Sequence, residues 1–336
     1  MKIAFLYAGQ GSQRVGMGRD LYDASPAFRA AFDAGHLDFD LHALCFDGAQ
    51  ETLNQTQYTQ PCMVAFACGV TAALFDAGLR PDYAAGLSLG EYSALEASGV
   101  LTAQSAIELA AYRGAAMAKA SEGIQSAMTA VLGLDREALM RCCDEAGALG
   151  VVQICNYNCP GQIVIGGEAA AVARAGELAK EAGARRLLPL RVSGPFHTPL
   201  MRPAAEALHE RFQSEVFGGM QIPVLFNCLG REKGDETIPS LLERQVFSPV
   251  RMEDTIRELA RLGTDTFVEI GPGTALTGFV RKTLGAAVNC YAVENAAGLE
   301  KAVEAMRRFK PQAQGGGFNG ALKKQSKTKN DPGCQA

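Results

Sequence analysis

The chain has 336 residues, 48% of them hydrophobic and 20% charged, with Lys+Arg 32 against Asp+Glu 36 and a net charge of −4. That length fits two domains, or one large domain with an insert, and the apolar share is enough for a sizeable core. No basic excess draws in nucleic acid, no run approaches the roughly 20 apolar residues of a membrane span, and no secretory leader is present, so the expected compartment is the cytoplasm.

Ten cysteines are scattered without a C-x-x-C pair. This predicts free thiols acting as small hydrophobes, with neither a zinc site nor a disulfide framework.

The first strand is expected at Lys2–Tyr7, a nearly all-apolar run suited to a central parallel position. A glycine loop follows, Gly9-Gln10-Gly11-Ser12-Gln13 with Gly16 and Gly18. Residues 61–77 read as a buried helix with Pro61 at its first position and Gly78 at its end. A strand at Tyr83–Leu87 leads into Ser88. A helix from about Leu89 to Ser98 comes next, then a longer one capped by Thr102 and running to about Ala120.

The rhythm changes over residues 126–193. A strand (127–134), a helix (135–146), two strands (151–156 and 162–165), a helix (169–182) and a strand (186–192) give the order β-α-β-β-α-β of a ferredoxin-like unit. Beyond it the spacing predicts a helix over 203–216, a strand at 224–228, a helix over 249–262 and a strand at 266–270. A helix over 274–284, a strand at 289–293 and a helix over 298–309 complete the reading. The chain therefore reads as α/β, with segments 1–125 and 194–310 forming a large unit with a mainly parallel sheet and 126–193 inserted into it. Residues 311–336 are Gly-, Lys-, Gln- and Ser-rich and are expected to form a disordered, solvated tail.

Gly86-Leu87-Ser88-Leu89-Gly90 matches G-x-S-x-G between a predicted strand and a predicted helix. Such a turn lifts a hydroxyl clear of the sheet and places it over the unpaired N–H groups of a helix start. The plainer alternative is a tight turn whose serine caps the helix. A nucleophilic serine needs a base. His36 and His42 sit in a polar connector, and His209 on a helix surface. His197 lies in Gly194-Pro195-Phe196-His197-Thr198-Pro199, a stiff loop at the junction of insert and large unit, where either a base or a packed histidine would fit. Arg113 shares a helix stripe with Ala106, Ala110 and Met117. Buried there it needs an anion, which could be Glu91, Glu96 or a substrate carboxylate gripped by two parallel hydrogen bonds.

Six motifs occur in order: Tyr7-Ala8-Gly9-Gln10-Gly11-Ser12-Gln13; Gly86 through Ala94; Arg113-Gly114-x-x-Met117; Asn156-Tyr157-Asn158-x-Pro160-Gly161-Gln162; Gly194 through Met201; and Val268-Glu269-Ile270-Gly271-Pro272-Gly273. Together they make the chain, over about residues 1–310, resemble the malonyl-CoA:acyl-carrier-protein transacylases of bacterial fatty-acid synthesis. It is similar also to the acyltransferase domains of polyketide synthases. The resemblance implies a hydrolase-like large subdomain plus the ferredoxin-like insert. It implies that Ser88 carries the acyl group and that His197 is its base and then its acid. The amides of Gln10 and Leu89 would form the oxyanion hole, and Arg113, Met117 and Phe196 would hold the malonyl group, with Arg113 on its carboxylate. A backbone carbonyl from the segment Gln245-x-x-Ser248-Pro249-Val250, expected at Ser248, would stand behind His197 in place of a carboxylate. The partners implied are malonyl-CoA and acyl carrier protein, with no cofactor, metal, nucleic acid or membrane.

The sequence departs from the family pattern at Leu87, where a histidine is usual, and at Ala8, where proline is usual. Phe196 matches the malonyl-selective pattern. Two rival readings are a serine esterase or thioesterase, which would not need Arg113, and a carrier-protein-binding relative without activity.

Overall fold

The structure, a computed structural model, describes residues 1–309. The expected tail at 311–336 lies outside the described residues. Strand β1 (Ile3–Tyr7) is buried along its whole length. Its side chains alternate, so Ile3, Phe5 and Tyr7 enter the main core while Ala4 and Leu6 enter a second core on the opposite face. The short helices α1 (Arg19–Ala24), α2 (Pro26–Phe32), α3 (Leu41–Phe46) and α4 (Gln50–Leu53) follow. None exceeds two turns, too short for a helical period to stand out in the sequence.

Helix α5 (Thr56–Asp76) begins at Thr56, not at Pro61, which lies inside it. The proline removes one N–H and leaves the Gln57 carbonyl without its helical donor. Side chains secure this early stretch instead: Thr59 Oγ1 donates to the Leu53 carbonyl at 2.5 Å, and Thr56 Oγ1 to Gln10 Oε1 at 2.8 Å. Among the described residues, α5 is the one helix long and apolar enough to cross a bilayer, yet most of it is buried within the fold. It packs on α2 and on α7 (Ala103–Ala120) as a core helix apolar on all sides. Between them in the chain lie β2 (Tyr83–Gly86) and α6 (Gly90–Ala97). The expected cap of α7 is present, with Thr102 Oγ1 accepting from the Ser105 amide at 3.0 Å.

The middle of the chain forms β3 (Ser126–Leu132), α8 (Arg136–Ala146), β4 (Val152–Cys159), β5 (Gln162–Glu168), α9 (Ala169–Glu181) and β6 (Arg186–Pro189). These strands make an antiparallel sheet in the order β4-β5-β3-β6. One face packs on α8 and α9 through Val131, Ile154, Ile163 and Ile165, while Met128, Ala130 and Val164 join the main core. The chain then returns through α10 (Arg202–Phe212), β7 (Val224–Phe226), β8 (Arg231–Glu232) and α11 (Ile238–Gln245). It ends in α12 (Met252–Arg261), β9 (Thr266–Ile270), α13 (Ala275–Leu284), β10 (Asn289–Val293) and α14 (Ala296–Phe309).

The first sheet has the order β10-β9-β1-β2-β7-β8, parallel except for β8. Tyr7, Gly86 and Ile270 stand in register at its carboxyl end. The loops after β1, β2 and β7 therefore emerge side by side, where ligands of open α/β sheets bind. Helix α12 starts later than its spacing suggests because the residues before it run extended against β4. The Tyr157 amide donates to the Val250 carbonyl at 2.8 Å, and the Val250 amide to the Cys155 carbonyl at 2.8 Å. The second sheet is thus tied by main-chain hydrogen bonds to the segment that leads into α12.

Candidate active site

Strand β2 ends at Gly86 and α6 starts at Gly90, so the chain reverses within Leu87, Ser88 and Leu89. Ser88 has φ 53°, in the left-handed region that side chains avoid. The crossing is tight. A Cβ on Gly86 would overlap the Gly90 carbonyl, and one on Gly9 would come within 2.5 Å of the Leu87 oxygen. Leu87 packs into the second core and also lines the cavity beside Ser88.

Ser88 Oγ lies 2.7 Å from His197 Nε2, and His197 Nδ1 lies 2.9 Å from the Gln245 carbonyl. A carbonyl only accepts, so Nδ1 carries the proton and Nε2 is free to accept from the serine. Burial first, and the Arg113 charge second, push the imidazole down to about 4, so it is neutral at pH 7. His197 is also left-handed, with φ 63°, and Ser88 and His197 are the two non-glycine residues with positive φ among the described residues. Its backbone is tied at both ends. Its N–H donates to the Val246 carbonyl at 3.0 Å, and its carbonyl accepts from Gln153 Nε2 of β4 at 2.6 Å.

The carbonyl behind the histidine was expected at Ser248 and is that of Gln245. Helix α11 stops at Gln245, and the carbonyls of a last helical turn have no partner within the helix. The Ser248 backbone acts on the ring as the weaker of the two. No carboxylate hydrogen-bonds His197 among the described residues.

Arg113 of α7 is 1% exposed. Its Nη1 donates to Gln60 Oε1 at 2.7 Å, and its Nη2 to Ser88 Oγ at 3.1 Å and Gln245 Oε1 at 2.9 Å. Nε is buried without a partner. Neither Glu91 nor Glu96 pairs with it. The carboxyl of Glu91 is turned to Asn227, and that of Glu96 sits beside Cys68. A buried guanidinium with no carboxylate hydrogen-bonded to it is costly, and burial lowers its pKa although the charges of Tyr92 and Glu91 act to raise it. A bound carboxylate would supply the missing charge.

These groups share one cavity of about 720 Å³, its open mouth included. Gln10, Leu89, Met117 and Phe196 line it from one side, and Met128, Asn156, Asn158 and Val164 of the second sheet from the other. The amides of Gln10 and Leu89 donate to no other group among the described residues. Asn158 presents a buried oxygen without a partner. The other histidines lie elsewhere, His42 paired with Asp33 at 3.0 Å and His209 with Glu243 at 3.0 Å.

Sequence reasoning missed Gln60, Gln153 and Asn227, and it named the segment beginning at Gln245 while choosing Ser248 within it. Gln60 offered a signal, being an amide at the edge of an apolar helical run. The choice within that segment fell on Ser248 because α11 went unread, although Thr237 as cap and Pro239 near the start mark such a helix.

Residues 4–320 match the acyl transferase domain family. The malonyl CoA-acyl carrier protein transacylase of Bacillus subtilis strain 168 is 43% identical over 312 residues, covering 91% of this chain and 98% of that protein. Among solved structures, the MCAT of Streptococcus pneumoniae is 44% identical with a TM-score of 0.86, covering 90% of this chain and all of that one. A malonyl-transacylase in complex with its type II PKS acyl-carrier protein is 39% identical with a TM-score of 0.87, covering 91% of this chain and all of that one. From its fold, its motifs and these likenesses, the chain belongs to the acyl transferase family that includes the malonyl CoA-acyl carrier protein transacylases.

Proposed function

We propose that the protein transfers a malonyl group from malonyl-CoA to the phosphopantetheine thiol of acyl carrier protein, through a malonyl ester on Ser88, for fatty-acid synthesis. The observation that carries this is the Arg113 guanidinium, buried without a carboxylate partner and 3.1 Å from the Ser88 hydroxyl. An ester formed on Ser88 from a dicarboxylic half-thioester would place its free carboxylate within reach of that charge.

In the first half-reaction His197 Nε2 takes the Ser88 proton as the serine oxygen attacks the thioester carbon. General-base help of this kind contributes about 10²–10⁴-fold. The carbonyl oxygen becomes an oxyanion between the Gln10 and Leu89 amides, each such donor being worth about 3 kcal/mol. The carbon–sulfur bond breaks and the CoA sulfur leaves with the proton from His197. In the second half the carrier thiol gives its proton to His197, attacks the malonyl ester, and Ser88 recovers its proton. Arg113 fixes the malonyl group between the two halves. Phe196 and Met117 crowd the carbon that a methylmalonyl group would branch.

Acyl carrier protein as partner is supported by the names of the relatives and by the solved complex with a carrier protein. That complex comes from a type II PKS system and favours supply of a polyketide synthase as the second reading. We propose too that segments 1–125 and 194–310 form a hydrolase-like subdomain and 126–193 a ferredoxin-like one. The strand order β4-β5-β3-β6 with α8 and α9 on one face supports the latter. Nine free thiols among the described residues support a reducing, cytoplasmic compartment.

The test is intact-mass measurement after exposure to malonyl-, methylmalonyl- and acetyl-CoA in competition. A malonyl adduct that Ser88→Ala abolishes and His197→Ala slows is the expected result. No adduct, or one on another residue, ends the catalytic reading.

A further inference from the structure

The Ser88 amide donates to Asn227 Oδ1 at 2.6 Å, so it is already engaged and stays out of the oxyanion hole. Asn227 follows β7 and is 3% exposed. Its Nδ2 donates to the Gly86 carbonyl at 2.7 Å. One side-chain amide therefore grips the elbow on both sides of its turn, at the residue that ends β2 and at the nucleophile. Behind it stands Glu91, fully buried on the first turn of α6. Glu91 Oε2 accepts from the Asn227 backbone N–H at 2.5 Å and also from Asn227 Nδ2. The Asn227 carbonyl in turn accepts from the Arg251 amide at 2.9 Å.

An asparagine amide can face either way, and only its neighbours decide which end is the oxygen. A carboxylate accepts and never donates. Glu91 therefore requires the NH₂ end to face it, as the Gly86 carbonyl does, and together they turn Oδ1 toward the Ser88 N–H. That bond restrains a residue whose left-handed backbone persists only when its surroundings hold it there.

We propose that Glu91 and Asn227 form a positioning relay for the nucleophile: the carboxylate anchors the asparagine through its backbone and side-chain N–H groups, and the amide holds Ser88 at the tip of its turn. The proposal rests on Ser88 being the acylated residue. Neither Glu91 nor Asn227 lines the cavity, so the relay works by positioning rather than by touching substrate.

The relay carries its own titration. Burial raises the Glu91 carboxyl to about 7, against the Asn227 N–H groups and the Arg113 charge, which lower it. The groups facing it are Arg113 from α7, Gln245 from α11, Tyr92 on its own helix and Cys228 beyond β7. Glu91 Oε1 is buried without a partner. Above about pH 7 the ionised carboxylate grips both N–H groups, and below it the protonated acid grips them more weakly. His197 has no step in this range, because its imidazole is held down at about 4.

The test measures the rate of malonyl loading by rapid quench and intact mass, at several malonyl-CoA concentrations, from pH about 6 to about 8. Glu91→Gln keeps the shape and replaces the charged anchor with a neutral, non-titrating amide, while Asn227→Ala removes the grip. Both are expected to slow loading by roughly ten- to a hundredfold, as a small misplacement of a reacting group does, with the KM for malonyl-CoA unchanged. The wild-type rate rises through about pH 7, and the Glu91→Gln rate is flat there. Wild-type loading in both variants, a KM that rises in step with the lost rate, or a pH step surviving in Glu91→Gln each overturn the relay. Should Asn227→Ala not fold, the Glu91→Gln pH profile decides alone. Ser88→Ala separates the two readings: an adduct that persists in it refutes the nucleophile assignment, whereas a lost adduct beside relay variants that load normally refutes only the relay.

Discussion

Replacing Arg113 with methionine tests the substrate assignment at its strongest point. The side chain is 1% exposed and holds two buried amide oxygens, Gln60 Oε1 at 2.7 Å and Gln245 Oε1 at 2.9 Å, plus the Ser88 hydroxyl. Methionine fills similar space without charge. Stability then shifts in opposite directions, because an unneutralised buried cation is removed while two acceptors lose a donor at about 1–3 kcal/mol each. A small net change in melting temperature is expected. Malonyl transfer loses more. Two charge-assisted hydrogen bonds at about 1.5–3 kcal/mol each give about 3–6 kcal/mol. A unit charge pair near 4 Å in a medium of effective dielectric about 20 gives about 4 kcal/mol. At 1.4 kcal/mol per factor of ten, kcat/KM for malonyl-CoA should fall by about 10²–10⁴-fold. Acetyl-CoA has no carboxylate to lose, so its loading should change far less. The assay is the ratio of malonyl to acetyl adduct on Ser88 from an equimolar mixture. A ratio unchanged in Arg113→Met, in a protein that still melts cooperatively, refutes the role of Arg113.

Gln153→Ala deletes the 2.6 Å bond from β4 to the His197 carbonyl. One such bond is worth about 1 kcal/mol, so kcat for malonyl loading should fall about fivefold while KM holds. A lower melting temperature with kcat intact would reduce Gln153 to a structural contact. Glu96 gives a prediction about pH and stability. Its carboxyl oxygen Oε2 is buried without a partner even though the residue as a whole keeps some exposure, and burial raises its pKa to about 8. The unfolded chain ionises Glu96 near its ordinary value of about 4.3, so above that the folded state binds the extra proton. This stability is complete below the unfolded value and is lost as pH rises through about 8. Glu96→Gln should flatten the fall of melting temperature between pH about 5 and about 8, and an identical slope in both proteins would count against the buried-acid account.

The sequence made legible what depends on short patterns. Strand β1, the Thr102 cap, the elbow around Ser88, and the β-α-β-β-α-β order all follow from local residue types and spacing. The main catalytic candidates were readable because a serine in a glycine turn, a histidine between prolines and an arginine among alanines each break the local pattern. The amides were not. Gln60, Gln153, Asn227 and Gln245 are ordinary polar residues in sequence, and their importance comes from α5, β4, β7 and α11 meeting at one point. The Ser248 expectation found the right segment and only the lesser of its two backbone contacts, for the same reason. Which carbonyl meets an imidazole depends on where a helix stops, and helix ends are the least certain feature of a periodic pattern.

The two left-handed residues carry a consequence for any effort to harden this protein. Each such conformation costs a side chain about 1 kcal/mol that glycine does not incur. Ser88→Gly and His197→Gly should therefore relieve backbone strain even as they abolish acyl transfer. At His197 the lost packing and the unpaired Gln245 carbonyl oppose that gain, so Ser88 is the position at which a screen for heat resistance alone would drift toward inert proteins, and turnover must be its second criterion.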